Sequence, residues 1–179
     1  MMQSRVALES FDGRQHEALL KNWLLAPHVA QWWKHPERHL AIALKPPSSH
    51  QQAIITVDEQ AVGYVYWQRA SANSLAKARL NHIPAGSIAV SLLIGEAPRL
   101  GQRIGPRALR LLLGELRRDP SIPLVKGAVP AHHTAAIRAY EKAGFVRSHP
   151  YTPPDPRPYL LMVVDLQRRD EDVPKTIMP

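Results

Sequence analysis

The 179-residue chain contains no cysteine, and this absence excludes several kinds of chemistry. Without thiols there is no disulfide framework, no cysteine-ligated zinc and no thiolate nucleophile. The longest apolar run without a charge lies at about 88–95, far below the ~20 residues that a membrane-spanning helix needs. The first five residues lack the apolar segment of a signal peptide. These features predict a cytoplasmic protein without a membrane-spanning segment.

Acidic residues are also fewer than basic ones. The chain has 15 Asp and Glu against 23 Lys and Arg, a formal net charge of +8. Such a surplus favours an anionic partner: a nucleic acid, a membrane surface or a phosphorylated cofactor. The hydrophobic fraction of 45% is that of a globular protein. We therefore predict one domain over residues 1–166 and a mobile, charged tail at 167–179.

The apolar periodicity predicts an α/β (α+β) protein with a mixed sheet flanked by helices. Strands are predicted at 5–9, 53–57, 61–68, 87–95, 124–129 and 160–166. Helices are predicted at 14–25, 106–118 and 133–143, with a short helix or turn at 28–33. Loops are predicted at 34–51, 70–85 and 150–158, the last because it holds five prolines.

An anion site is predicted where the strand at 87–95 leads through a glycine-containing turn into the helix that starts at Pro106. Proline suits the first helical position, and the free N–H groups there lie at the positive end of the helix dipole. Arginines accumulate around this point, at 99, 103, 107, 110, 117 and 118. A solvated basic helix face would explain the charges equally well, so both interpretations stay open here.

Three runs resemble motifs of one enzyme family. The turn Leu100-Gly101-Gln102-Arg103-Ile104-Gly105 resembles the pyrophosphate-binding signature of GNAT acetyltransferases. The run at 134–145, with Ala136-x-x-x-Tyr140-x-Lys142-x-Gly144-Phe145, resembles the second signature of that family. The run at 28–33, HVAQWW, resembles the His-x-x-x-Trp-Trp segment of aminoglycoside 6'-N-acetyltransferases and related siderophore acyltransferases.

The resemblance extends from about residue 6 to residue 166. It implies a GNAT-like mixed, splayed sheet and an acetyl-CoA-dependent N-acetyltransferase that acts on a primary amine of a small molecule. It implies no nucleic acid partner, no membrane and no metal, and it leaves a homodimer open because the family is often dimeric. Transfer to a siderophore precursor and a catalytically silent CoA-binding protein remain alternatives, as does a nucleic-acid-binding module on charge alone.

The resemblance also implies a cofactor site. Acetyl-CoA would lie between the strands at 87–95 and 124–129, with its thioester arm along the first strand and its pyrophosphate on the turn. The implied cofactor contacts are Leu92, Leu93, Ile94, Gln102, Arg103, Ile104, Gly105, Pro106, Arg107, His133, Ala136 and Tyr140.

Catalytic and substrate residues follow from the same resemblance. Tyr140 corresponds to the general acid that protonates the leaving thiolate, with a core aromatic as its alternative role. Ser91 is the second catalytic candidate, because it could hold a water. Trp32, Trp33 and Glu96 are predicted on the substrate side. For the general base, Ser91, Glu96, His132 and His133 all remain candidates.

Two departures from the family concern the acceptor. Ser91 occupies the position of an aspartate in the aminoglycoside enzymes and of a histidine in the siderophore enzymes, and Ala128 that of a second carboxylate in both. A polycationic aminoglycoside needs carboxylates in its pocket, so we expect aminoglycosides to be poor substrates. The amine and the acyl chain length are not defined by the sequence.

Overall fold

The computed structural model describes residues 4–151 and 157–167. They form one seven-stranded sheet in the order β1-β2-β3-β4-β5-β7-β6, in which only the β4–β5 pair is parallel. The strands are β1 (Val6–Ser10), β2 (His50–Val57), β3 (Gln60–Arg69), β4 (Ile88–Ile94), β5 (Val125–Pro130), β6 (Val146–Tyr151) and β7 (Tyr159–Val164). The helices are α1 (Gly13–Leu25), α2 (Pro27–Ala30), α3 (Pro36–Leu44), α4 (Ala72–Lys77), α5 (Ile104–Leu116) and α6 (Thr134–Lys142). The mixed sheet with flanking helices confirms the predicted fold class.

Helices cover both faces of the sheet. On one face, α5 and α6 bury an apolar stripe against the central strands, and Leu109, Ile137, Val90 and Val125 belong to one buried cluster there. This is the arrangement expected for a helix with apolar residues three and four positions apart. On the other face, α1, α2 and α3 pack on β2, β3 and β4, while α4 covers β7. The two faces therefore have separate cores.

The two parallel strands separate soon after they pair. β4 and β5 are in register only at Ile88–Val125 and Ala89–Lys126, although both strands continue beyond these pairs. Tyr140 of α6 fills the start of the opening, and its hydroxyl donates a hydrogen bond of 3.1 Å to the carbonyl of Val90. The sheet is thus splayed at its centre, and the edge of β4 beyond Val90 has no strand partner on the β5 side.

Two predicted loops were partly wrong, because each contains a short helix. The segment 34–51 contains α3 and the start of β2, and Pro36 begins α3 at a position where its missing N–H costs nothing. The segment 70–85 contains α4, which Ser71 caps by accepting from the N–H of Ser74 at 3.1 Å. α5 begins at Ile104, two residues before the predicted start.

A strand was also missed. Pro150 lies in β6, the edge strand of the sheet, where a proline breaks no ladder on its open side. The pairing of β6 with β7 is irregular between Arg147 and Pro150, as expected for a proline within a strand. The rest of the predicted 150–158 loop, from 152 to 156, and the predicted tail beyond 167 lie outside the described residues.

Gly127→Ala tests the packing that holds Tyr140 in the opening. A Cβ at residue 127 would stand 2.3 Å from Cε1 of Tyr140, so the ring would have to move. We expect the free energy of unfolding in urea to fall by about 1–3 kcal/mol. Gly114→Ala is the matched control. Gly114 lies at an exposed position of α5 with open space around it, and the substitution should raise the free energy of unfolding by up to about 1 kcal/mol. Equal effects of the two substitutions would contradict this account.

Candidate active site

A cavity of about 650 Å³ occupies the opening between β4 and β5. The end of β4, the turn before α5, one side of α6 and the segment after α1 form its walls. Of the residues implied by the family resemblance, the cavity lining includes Trp32, Trp33, Leu92, Leu93, Ile94, Arg103, Ile104, Gly105, Pro106, His133, Ala136 and Tyr140. The fold therefore brings most of the predicted site together from four separate segments.

Tyr140 lies at the inner end of this cavity. Its side chain is buried, its ring packs edge-on against Phe145 at 4.9 Å between centroids, and its hydroxyl is held by the carbonyl of Val90. Burial, and secondarily the nearby Tyr66 phenol, raises the pKa of Tyr140 well above its usual value. The hydroxyl is therefore protonated at neutral pH. Its one proton is directed to the Val90 carbonyl, and the hydroxyl can donate into the opening when it turns away from that carbonyl.

The turn before α5 offers unpaired backbone donors. Within the described residues, the N–H groups of Arg103, Ile104 and Gly105 have no hydrogen-bond acceptor. They belong to the first turn of a 13-residue helix, where the dipole favours an anion. Two predicted contacts are absent from the cavity lining: the side chain of Gln102 bonds back to Pro98, and that of Arg107 bonds to Ser4. Any contribution of Gln102 and Arg107 would be limited to their backbone.

Positive charge dominates the wall of the cavity. Its cationic side chains are Arg99, Arg103, Arg138 and Lys142, and no carboxylate belongs to the described lining. The guanidinium of Arg103 makes no hydrogen bond or ion pair with another described residue. Such a wall suits a polyanionic ligand and repels a polycation.

Aromatic side chains close the mouth of the cavity. Trp32 and His133 stack in parallel, with ring centroids 4.1 Å apart, and so link the segment after α2 to the start of α6. His28 Nε2 lies 3.0 Å from the carbonyl of Ile94; because a carbonyl only accepts, this nitrogen carries the proton. His28 is a site residue that sequence reasoning missed, although it is the first residue of the His-x-x-x-Trp-Trp segment.

Two predicted site residues point elsewhere. Side chains alternate along a strand, and since Val90 and Leu92 face α5 and α6, Ser91 faces the other side of the sheet, where it is half-buried opposite Tyr66. Glu96 accepts a 2.8 Å hydrogen bond from the indole of Trp23 and fixes α1 to the end of β4. Neither residue belongs to the lining of this cavity. Both lie toward the α1–α3 side of the sheet, and their catalytic and substrate-binding roles stay predictions.

No group of three or more His, Asp or Glu side chains in residues 4–151 and 157–167 could hold a metal ion. None of the helices in those ranges is long and apolar enough to span a bilayer.

The sequence matches the model of the acetyltransferase (GNAT) domain over residues 12–152. The chain belongs to the GNAT acetyltransferase family. The aminoglycoside N(6')-acetyltransferase type 1 of Klebsiella pneumoniae is 27% identical over 168 residues, which cover 87% of this chain and 82% of that protein. The enzyme of the same name from Serratia marcescens is 28% identical over 149 residues, 77% of this chain and 73% of that protein.

Solved structures agree in fold. The aminoglycoside acetyltransferase AAC(6')-Ib in complex with coenzyme A and kanamycin has a TM-score of 0.75 at 25% identity, and the match covers 91% of this chain and 95% of that one. The complex of AAC(6')-Ib with paromomycin and acetyl-CoA has a TM-score of 0.77 at 24% identity, and the match covers 96% of this chain and 100% of that one. These findings confirm the predicted family and fold. They also confirm the predicted class of enzyme, an N-acetyltransferase.

Arg103 offers a test of the turn itself. It adopts a left-handed conformation, with φ 58° and ψ 24°, which is unfavourable for a residue with a Cβ. We expect Arg103→Gly to be more stable than Arg103→Ala by about 1 kcal/mol, because both lose the charge and only glycine relieves the strain. Urea unfolding measures the difference. An alanine variant at least as stable as the glycine variant would mean that the turn is not strained at this position.

Proposed function

We propose that the cavity between β4 and β5 binds acetyl-CoA and that Tyr140 is the acid that protonates its departing thiolate. The observation that carries the proposal is the Tyr140 hydroxyl inside the strand opening, 3.1 Å from the carbonyl of Val90. The unpaired edge of β4 beyond this point offers backbone groups to the amides of the cofactor arm. The N–H groups at the start of α5, with the arginines around them, suit its pyrophosphate.

The reaction is a direct transfer. The amine nitrogen attacks the thioester carbonyl carbon, the new C–N bond forms, and the C–S bond breaks as the thiolate leaves. The Tyr140 hydroxyl gives its proton to the sulfur, which avoids the release of a free thiolate. The amine loses a proton to one of the imidazoles of the cavity wall, which belong to His28, His132 and His133. Burial lowers the pKa of His133, so its ring is uncharged and able to accept at neutral pH.

The predictions of oligomeric state and of location are not tested by the findings above. A homodimer remains a prediction because only one chain is described. Cytoplasmic location remains a prediction that rests on the sequence features given above.

Gly105→Asp tests where the pyrophosphate lies. A Cβ at this position meets only Leu92 and Ala139 at ordinary contact distances, so the new carboxylate enters the cavity without a steric clash of its Cβ. We expect the dissociation constant for CoA to rise more than tenfold, which is over ~1.4 kcal/mol. Gly105→Asn is the matched control, because it adds nearly the same volume without the charge. Calorimetry should give a much smaller loss for Asn; equal losses would mean that shape alone explains the effect.

Tyr140→Phe tests the acid. The variant keeps the ring and its contact with Phe145 and removes only the hydroxyl. We expect kcat to fall by roughly 10²–10⁴-fold, the usual contribution of general acid catalysis, with little change in the dissociation constant for CoA. Thiol release and calorimetry provide the two measurements. Loss of both activity and CoA binding would assign Tyr140 to packing, and full turnover would remove it from the mechanism.

A further inference from the structure

A second, smaller cavity of about 210 Å³ lies on the opposite face of the sheet, beneath α1 and α3. We call it the ring cavity. The side chains that line it are Leu20, Leu24, Trp33, Arg38, His39, Ile42, His50, Tyr64, Tyr66 and Gln68. The lining combines leucine and isoleucine side chains with aromatic rings, and no carboxylate belongs to its described part.

One polar atom of this wall lacks a partner. His50 is only 6% exposed, and its Nε2 is buried without a hydrogen bond to any described residue. Burial lowers the pKa of both His50 and His39, so both rings are neutral near pH 7. A buried nitrogen left without a partner is costly, and a hydrogen bond to it would recover that free energy. The Nε2 atom is not exposed to the cavity, so the His50 ring has to turn before a ligand can bond to it.

The aromatic wall is held in place before any ligand arrives. His50 stacks on Tyr66 with 4.8 Å between centroids, and Trp33 meets Tyr66 edge-on at 5.9 Å. The Tyr64 hydroxyl donates to Gln52 at 2.6 Å, and the Gln52 amide donates to the carbonyl of Ala43 at 2.8 Å. These contacts hold Trp33, Tyr64 and Tyr66 in place, and the His50 ring is the part of the wall that has to turn for a ligand to reach its Nε2.

The ring cavity adjoins the reaction centre. Trp33 lines both cavities and forms a common wall between them. Tyr66 pairs in register with Ser91, the strand neighbour of Val90, whose carbonyl holds the Tyr140 hydroxyl. An acceptor seated in the ring cavity would thus approach the opening from the face opposite α5 and α6.

We propose that the ring cavity binds the acceptor, and that the acceptor is an amine attached to a single uncharged aromatic ring with a hydrogen-bonding group that faces His50. This inference rests on the proposed function, since it names the substrate of that same site. An apolar cavity of ~150 Å³ can hold benzene, so about 210 Å³ fits one substituted ring. Stacked aromatic side chains favour another π-face over an aliphatic chain.

Two other classes of acceptor fit less well. A polycation would have no carboxylate to bind in the described lining of either cavity. Arg38 adds positive charge to the ring cavity and would repel it. A sugar ring needs partners for several hydroxyl groups, whereas most of this wall is aliphatic or aromatic carbon.

Steady-state acetylation of four amines tests the inference: tyramine, phenethylamine, ethanolamine and kanamycin. We expect kcat/KM to be at least tenfold higher for tyramine than for ethanolamine or kanamycin. Tyramine should also exceed phenethylamine by about fivefold, because its hydroxyl bonds to His50. A preference for kanamycin over tyramine would overturn the proposal and point to carboxylates outside the described residues.

Ile42→Phe fills the cavity from α3. We expect KM for tyramine and phenethylamine to rise at least tenfold, with KM for ethanolamine and the dissociation constant for CoA unchanged. Leu44→Phe is the matched control, because Leu44 lies on the same helix, is exposed and lines neither cavity. His50→Phe keeps a ring against Tyr66. In this variant we expect kcat/KM for tyramine to be about equal to kcat/KM for phenethylamine. Equal behaviour of Ile42→Phe and Leu44→Phe, or an unchanged preference in His50→Phe, would overturn the proposal.

Failure of the proposed function is distinguishable from failure of this inference. If no amine releases thiol from acetyl-CoA, the function fails, and calorimetric binding of tyramine to the wild type and to Ile42→Phe still decides whether the cavity takes a ring. Binding that the wild type shows and Ile42→Phe loses supports the inference, and equal or absent binding overturns it. If amines are acetylated but the Ile42 and His50 variants keep the wild-type pattern, the function stands and the inference fails.

Discussion

The separation of β4 from β5 after two residue pairs is the constraint on which the site depends. A continued parallel pairing would satisfy the backbone of both strands and leave no cavity. Tyr140 keeps the strands apart, since its ring fills the opening and its hydroxyl takes the Val90 carbonyl as a strand partner would. Gly127 makes this possible, because any side chain there would occupy the space of the phenol. Tyr140 of α6 and Gly127 of β5 thus together maintain the opening between the two strands.

The two faces of the opening differ in charge and shape. The face toward α5 and α6 has unpaired N–H groups and four cationic side chains, which suits a polyphosphate. The face toward α1 and α3 has neutral aromatic rings around a small slot. Lys126 alternates with Val125 and Gly127 and therefore faces this second side, where burial lowers its pKa. The acceptor side thus has a lysine near the Ala128 position rather than a carboxylate.

The sequence predicted the site best where motif and secondary structure coincide. The glycine turn and the Tyr140 helix were placed correctly and the start of α5 to within two residues, because apolar periodicity is strong there. Ser91 was assigned by alignment and Glu96 by its place at the strand end, and a strand alternates its side chains. Whether a residue faces the cofactor or the other core depends on tertiary packing, as the Trp23–Glu96 hydrogen bond shows.

The ring cavity could not be found from the sequence, because its members come from distant segments with ordinary composition. His50 was placed in a predicted loop, and nothing local marks it as the first residue of a buried strand. Its unpaired nitrogen opposes stability, since replacing a buried polar group that has no partner with an apolar one of similar shape is often neutral or favourable. The neighbouring wall is instead fully bonded, through Tyr64, Gln52 and the Ala43 carbonyl. Most of the wall is thus ordered without a ligand, and in the proposed complex only the His50 ring would have to turn to complete its bonding.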